Sequence, residues 1–375
     1  MKTTNIENLT IHKFRGLRDL TLESLGQINL LVGANNCGKT SVLEAVSTYC
    51  NPLDPLEWLN TAWRREIKSS LKPKLDALKW LFPQDSESSK NDFYSGETYV
   101  SGDGNFSLRN SKAIYQEFEG TQDVSEDIDD EDEIGMGNIR KGADLEFTVD
   151  WVEQQQNLWN DKNSCSDSQL FKIWENERFV NRKNTKEIAL PVKTITPFSH
   201  RIEQLQVELL SEAAFQDFKP EIIELISTID SGIIDLEILS FSSKGTCLYI
   251  KHKQTGISPL SAFGDGVRRL LFIASSIAKV KGGVLLIDEL ETAIHTEALY
   301  PSFSWLVKWC QQMDIQLFAT THSLETVDAV LDATEPETDL VLYRLEPQKL
   351  QTQTTRIDGE TLQRLRLDLG REVRW

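Results

Sequence analysis

Cysteine and histidine are scarce and scattered, five of each in 375 residues. Cys37, Cys50, Cys165, Cys247 and Cys310 form no Cys-x-x-Cys pair and are odd in number. That argues against a disulfide framework or a thiolate zinc site, and for a reducing compartment. No His-Glu-x-x-His occurs, so the usual zinc-hydrolase helix is excluded. Long apolar runs are missing too. Nothing approaches the roughly 18 residues of a membrane span. The opening MKTTNIENLTIHKFRGL has one early lysine and no apolar stretch with a small-residue cleavage site, so no secretory signal is expected. A cytoplasmic protein without membrane contact is the expectation.

Basic charge is also in short supply, with 40 Lys and Arg against 58 Asp and Glu and a net charge of −18. The excess is concentrated. Ten acids and no base lie between Glu117 and Glu133, which leaves −8 for the remainder. Such a chain makes a poor general coat for nucleic acid or membrane, and contact with either would need a local basic patch. The basic clusters are thin: Trp63, Arg64 and Arg65, then Arg178, Arg182, Lys183 and Lys186. Solvated faces are expected there rather than a nucleic-acid footprint. The acidic run reads most simply as a solvated loop. A sharper reading has it imitate nucleic acid or hold a basic partner.

What is present is alternation and three buried runs. IENLTIHKFRGL and LRDLTLESL alternate apolar and polar residues, as half-buried strands do. INLLVG (28–33), VLLID (284–288) and IQLFATTH (315–322) are continuous apolar runs, as in strands buried on both faces. LVLYRLE follows as a further strand. Helices are expected over 40–49, 267–280, 300–312 and 323–331. Buried strands alternating with helices imply a parallel sheet with crossover helices. Residues 51–234 look like an insertion, mainly helical in LEWLNTAWRREI, LDALKWLF and 201–229, with LEFTVDW as a strand. Six of the nine tryptophans lie between 58 and 174, which points to an aromatic core in that region. The hairpin IIDLEILSF/TCLYIKH follows.

GANNCGKTS (33–41) matches the phosphate-loop pattern GxxxxGK[ST], between a buried strand and a helix. Gly33 and Gly38 let backbone N–H groups curl round phosphates, and Asn35 and Asn36 lie within the curl. The helix that follows offers its positive end to the anion, with Ser41 in its first turn. Lys39 would bridge β- and γ-phosphates and Thr40 would hold Mg²⁺. VLLID ends in Asp288 and Glu289, a strand-edge acid pair in which Asp288 would serve the metal and Glu289 would polarise the attacking water. His322, after a further buried strand, would reach the γ-phosphate. SAFGDGVRR (261–269) puts Ser261, Gly264, Asp265 and Gly266 before a helix N-terminus, a second anion-binding arrangement. Each has a plainer reading: a glycine turn, a capping aspartate, a structural histidine, an ordinary helix start. Their order along the chain favours nucleotide chemistry.

That order resembles the ATP-binding cassette (ABC) ATPases. More narrowly, IHKFRGLRDLTL, INLLVGANNCGKTSVLEAV, SAFGDGVRRLLFIASSI, LLIDELETAIH and FATTHS resemble the ATPase module of the overcoming-lysogenization-defect (OLD) family and its SMC-type relatives. The resemblance covers residues 5–50 and about 235–345. It implies an α/β fold: an ABC-type P-loop NTPase head with a mixed or parallel sheet, an antiparallel β part and an inserted mainly helical region. The implied organisation is 1–50 and 235–375 as ATPase core, with 51–234 as insertion carrying the acidic loop 117–133. ATP and Mg²⁺ are the implied cofactors. Two ATPs would lie between two heads, each meeting Lys39, Asp288, Glu289 and His322 of one copy and the turn from Ser261 to Gly266 of the other. Residues 290–295 would cross that interface. Arg15 matches a family position near the nucleotide. The turn reads S-x-x-G-D-G rather than the LSGGQ of transporters.

OLD nucleases carry a Toprim domain after the ATPase. Only 53 residues follow His322, with no clustered acids of that type, so no intrinsic nuclease is expected. LQRLRLDLGREVRW reads as a closing helix whose Arg364, Arg366, Arg371 and Arg374 form a solvated face, or less simply a partner contact. The favoured function is an ATPase that dimerises head to tail and controls a separate effector, a nuclease or toxin, in anti-phage defence. The alternatives are an SMC-like repair ATPase that binds DNA directly, or a regulatory ATP-binding module with little turnover.

Overall fold

The computed structural model describes residues 4–64, 75–84, 93–121, 139–154, 162–175, 188–241, 245–335, 338–348 and 351–375. Strands β1 (Asn8–Phe14), β2 (Leu17–Leu22) and β3 (Ile28–Gly33) open the chain and lead into α1 (Lys39–Cys50). Helices α2 (Pro55–Trp63) and α3 (Leu75–Lys79) follow, then the long strands β4 (Ser95–Asp103), β5 (Leu108–Thr121), β6 (Ile139–Gln154) and β7 (Lys162–Trp174). Short β8 (Val192–Ile195) precedes α4 (Glu203–Phe215) and α5 (Lys219–Ser227). A hairpin of β9 (Ile233–Phe241) and β10 (Gly245–His252), with β11 (Gly256–Pro259), leads into α6 (Asp265–Lys279). The chain closes through β12 (Val284–Ile287), α7 (Thr296–Gln312), β13 (Gln316–Thr320), α8 (Leu324–Ala333), β14 (Leu340–Gln348), β15 (Gln351–Asp358) and α9 (Gly359–Gln363).

The central sheet has the order β15-β14-β3-β13-β12-β8, parallel except for the β15 edge. Strand β3 is therefore flanked by β14 and β13, and β13 lies between β3 and β12. Successive side chains of these strands face opposite ways. Leu31, Leu286, Phe318 and Val341 pack with α1 and the antiparallel sheet, whereas Leu30, Leu285, Leu317 and Leu342 pack with α4 to α8. Two cores thus sandwich the sheet, which explains its continuous apolar runs. Mixed α/β architecture of the ABC type is what the sequence implied.

The inserted region departs from the mainly helical expectation. Between Ser95 and Trp174 the described residues form four long strands, and β4 pairs with β1. One antiparallel sheet results, β2-β1-β4-β5-β6-β7. The apolar residues of β5 and β6 explain it: Ala113, Tyr115, Ala143, Leu145, Phe147 and Val149 recur every second position and are fully buried. Strand β8, also inside 51–234, joins the central sheet beside β12. The 51–234 segment is therefore woven into both sheets. The expected aromatic core is there, with Trp58 stacked on Phe147 and Phe82 at 5.2 and 6.1 Å between centroids. Of the acidic run, Glu117 and Glu119 lie on β5, and residues 122–133 lie outside the described residues.

Candidate functional site

Three neighbouring strands deliver their C-terminal ends to one place. Strand β3 ends in the glycine loop, β12 in Asp288 and β13 in Thr320 to His322. Ligands of open α/β sheets bind outside this carboxyl edge.

Each glycine of the loop is required by its surroundings. Gly33 has φ +142°, and a Cβ there would meet the Leu345 carbonyl oxygen at 2.5 Å. Gly38 has φ +98° and caps α1 in the left-handed region; a Cβ would lie 2.7 Å from Leu17. Asn36 is left-handed as well, with φ 63°. Gly38 contributes no side-chain cap to the first N–H groups of α1. Lys39 Nζ sits inside the curl and donates to the carbonyls of Gly33 at 2.8 Å and Ala34 at 3.0 Å. Burial holds its pKa below the usual lysine value, against the pull of Cys37, Asp288 and Glu289. Cys37 is itself buried, with Sγ 3.8 Å from that ammonium.

Thr40 Oγ1 donates to Asp288, 3.0 Å to Oδ2 and 3.3 Å to Oδ1. Thr320 Oγ1 donates to the same carboxylate at 2.6 Å and accepts from the Glu289 amide at 2.8 Å. Glu289 takes a left-handed backbone, φ 49°, and its Oε2 accepts from Thr292 at 3.0 Å. The His322 amide donates to Glu291 at 3.0 Å, which ties the strand-end histidine to the acidic turn. Lys39, Thr40, Asp288 and Glu289 are therefore gathered in one cluster, and the His322 backbone is tied to the adjoining turn through Glu291. A lysine, a helix N-terminus and hard oxygen donors together suit a polyphosphate with a divalent cation.

Arg15 stands at the rim of the loop. Its guanidinium pairs with Glu44 of α1 at 2.6 Å and donates to the Trp80 carbonyl at 3.0 Å. A cleft beside the loop is lined by Arg15, Arg18, Asn36, Gly38, Ser41 and Trp80.

The 261–266 turn is a surface feature, with Ser261 and Gly264 exposed. Asp265 pairs with Arg201 at 2.8 Å and Arg268 at 3.3 Å. Burial works against it, but these cations keep its carboxyl below the ordinary range. Gly266 abuts residues 290–295: a Cβ would lie 2.9 Å from the Ala293 carbonyl oxygen. The turn joins the acid pair through Arg269, fully buried in α6. Arg269 donates to the carbonyls of Thr196, Asp288 at 3.1 Å and Glu289 at 3.2 Å.

Sequence reasoning missed Thr320 and Arg269. Thr320 stands in the FATTHS motif, and its position at a strand end was the available signal. Arg269 carried no signal, because it stands 19 and 20 residues before Asp288 and Glu289 and only folding brings its guanidinium to their carbonyls. Two of the four C-terminal arginines need correction, whereas Arg364 and Arg371 are exposed. Arg366 pairs with Asp328 of α8 at 2.7 Å, and Arg374 donates to the His322 carbonyl at 2.7 Å, so neither is part of a solvated face. Arg64 likewise pairs with Glu57 at 2.6 Å. Arg65, Arg178, Arg182, Lys183 and Lys186 lie outside the described residues.

Residues 28–328 match the family described as "AAA domain, putative AbiEii toxin, Type IV TA system". The chain belongs to this AAA family. An ATP/GTP phosphatase of Helicobacter pylori is 20% identical to this AAA protein over 353 residues, 89% of each chain. An uncharacterized protein of Methanocaldococcus jannaschii is 52% identical over 44 residues, 12% of this chain and 20% of that protein. Among solved structures, an SMC head bound to the C-winged helix domain of ScpA matches with a TM-score of 0.50 at 11% identity, covering 95% of this chain and 99% of that one. That likeness is one of fold: the AAA protein has the architecture of an SMC- and ABC-type ATPase head. Among the described residues no helix is long and apolar enough to cross a membrane.

Proposed function

We propose that this AAA protein hydrolyses ATP between two head-to-tail copies and uses the cycle to control a separate effector, as an ATPase module of the OLD type. The observation that carries the reading is the Thr40–Asp288 contact at 3.0 Å beside Lys39. It joins the two halves of a phosphate site that lie 248 residues apart in the chain.

The residues fit Mg²⁺. A hydroxyl and one carboxylate, completed by phosphate oxygens and water, is the usual magnesium pattern. Thr40 and Asp288 would hold it, and when bound it would offset the charge of the β- and γ-phosphates. Lys39 and the α1 N-terminus bind the phosphates of ATP. Glu289 orients and polarises the attacking water, and Thr292 fixes its carboxylate. His322 contacts the γ-phosphate side, held by Glu291. In the second copy Ser261, Gly264, Asp265 and Gly266 face that phosphate, so ATP joins both copies and hydrolysis releases them. The effector is a separate nuclease or toxin, and the setting is anti-phage defence; the family description, with its toxin and toxin–antitoxin terms, supports this direction.

The test is Glu289→Gln. It is expected to bind ATP, to lose turnover by about 10²–10³-fold, and to run as a dimer by light scattering only with ATP. Lys39→Ala is expected to lose binding and remain monomeric. A Glu289→Gln chain that stays monomeric with ATP overturns the head-to-tail dimer, and turnover that survives Lys39→Ala overturns the ATP site. Salt-sensitive DNA binding by the isolated chain would instead favour a direct DNA role.

A further inference from the structure

Thr320 is the last residue of β13, and its side chain is fully buried. Valine has nearly the same shape and suits a buried strand as well, so strand packing does not account for the hydroxyl. Its bonds do. Oγ1 donates to Asp288 Oδ1 at 2.6 Å and accepts from the Glu289 amide at 2.8 Å. The Thr320 carbonyl accepts from the Leu290 amide at 2.9 Å. One residue thus holds three in succession. Strand β12 stops at Ile287. Beyond it the Asp288 amide still donates to the Ile195 carbonyl at 2.8 Å, whereas the next two amides both turn to Thr320.

A hydroxyl has a single proton. Here it goes to Asp288, which leaves a lone pair for the Glu289 N–H, and two bonds in series polarise each other. The short contact fixes the turn of the carboxylate: Oδ1 faces β13, and Oδ2 lies 3.0 Å from Thr40 Oγ1. The same oxygen steadies Glu289, whose left-handed φ of 49° is uncommon for a residue with a long side chain. Arg269 grips the carbonyl of that residue at 3.2 Å, so its peptide groups are held from both sides. Asp288 and Glu289 therefore share one anchor on the neighbouring strand, 32 residues from Asp288 in the chain.

We propose that Thr320 is a positioning residue for both acids: its hydroxyl sets the Asp288 carboxylate that Mg²⁺ meets and the backbone from which Glu289 reaches the attacking water. This rests on the phosphate-site reading above. Hydrogen-bond partners behind a ligating carboxylate orient it for the metal, and their loss costs about 10–100-fold in metal affinity or activity.

The experiment measures calorimetric affinity of the full chain for ATP in Mg²⁺ and in EDTA, together with kcat, for wild type, Thr320→Val, Thr320→Ser and Lys39→Ala. Wild type is expected to bind ATP more tightly with Mg²⁺ than in EDTA. Thr320→Val is expected to keep the EDTA affinity, to lose about tenfold of the gain from Mg²⁺, and to lower kcat about 10–100-fold. Thr320→Ser, which keeps the hydroxyl, is expected to restore both. If Thr320→Val does not fold, Thr320→Ala carries the same comparison. A Mg²⁺ gain unmoved by loss of the hydroxyl, an equal loss in EDTA, or a serine variant as impaired as the valine one overturns the role of Thr320. A wild type with no Mg²⁺ gain, or ATP binding that ignores Lys39→Ala, overturns the phosphate site instead, so the two failures are told apart.

Discussion

Arg269 is a charge with no access to water, and its partners explain why it is tolerated. Burial lowers its pKa to about 10, and the neighbouring acids Asp288, Glu289 and Glu291 act the other way. It remains a cation at neutral pH. Its hydrogen bonds to the Asp288 and Glu289 carbonyls hold the backbone of the acid pair, where Glu289 is left-handed at φ 49°. Replacement by an apolar side chain leaves buried carbonyls without donors, each costing about 1–3 kcal/mol. Arg269→Met is therefore expected to lower unfolding free energy by about 3 kcal/mol in urea titrations, and to reduce ATP turnover more than ATP binding. Equal losses in both would show that Arg269 supports only the fold.

At the scale of elements, the closing segment acts as a strap across the β13–α8 connection. Arg366 pairs with Asp328 of α8, and Arg374 reaches the His322 carbonyl at 2.7 Å. Val373 between them is 1% exposed. The Arg374 hydrogen bond holds the Glu372 carboxyl down to about 2. The sign follows from that depression: the Glu372 contribution is complete above the ordinary glutamate range, near 4.5, and is lost as pH falls toward 2. Arg374→Ala is expected to speed amide exchange at residues 321–323 and to leave α1 protection unchanged. Unaltered exchange at His322 would mean that the strap bears no load there.

For the whole molecule, a titration that acts on stability is expected at His200. It is fully buried between α6 and the segment after β8, 3.8 Å from Asp265 and among Arg201, Arg268 and Arg269. Burial and then the Arg269 charge push its pKa from 6.5 to about 4. The unfolded chain binds the extra proton first, so stability is full above about 6.5 and declines as pH falls toward about 4. The slope is at most about 1.4 kcal/mol per pH unit. Urea midpoints at pH 7 and pH 5 should differ more in wild type than in His200→Leu. An identical pH dependence in the two would remove His200 from the account.

Much of this was legible in one dimension. The glycine loop, the acid pair and the strand-end histidine announce themselves, because a phosphate site on a parallel sheet needs buried strands ending in specific residues, and those runs are contiguous in sequence. The parallel sheet followed from the same runs. In the inserted region the apolar spacings of LEWLNTAWRREI and LDALKWLF do form α2 and α3, and LEFTVDW lies in β6; strand β5 was less legible, because small or polar residues such as Ser111 and Ala113 stand at its buried positions. Tertiary structure alone decided three things: that β4 extends the β1–β2 sheet, that Arg269 lies beneath Asp288 and Glu289, and that Arg374 straps His322. Each depends on which segments distant in the chain are brought together, and a pairing of that kind leaves no periodic trace in either partner. Sequence by itself determined which residues stand at the sheet's edge; packing determined what holds that edge in place.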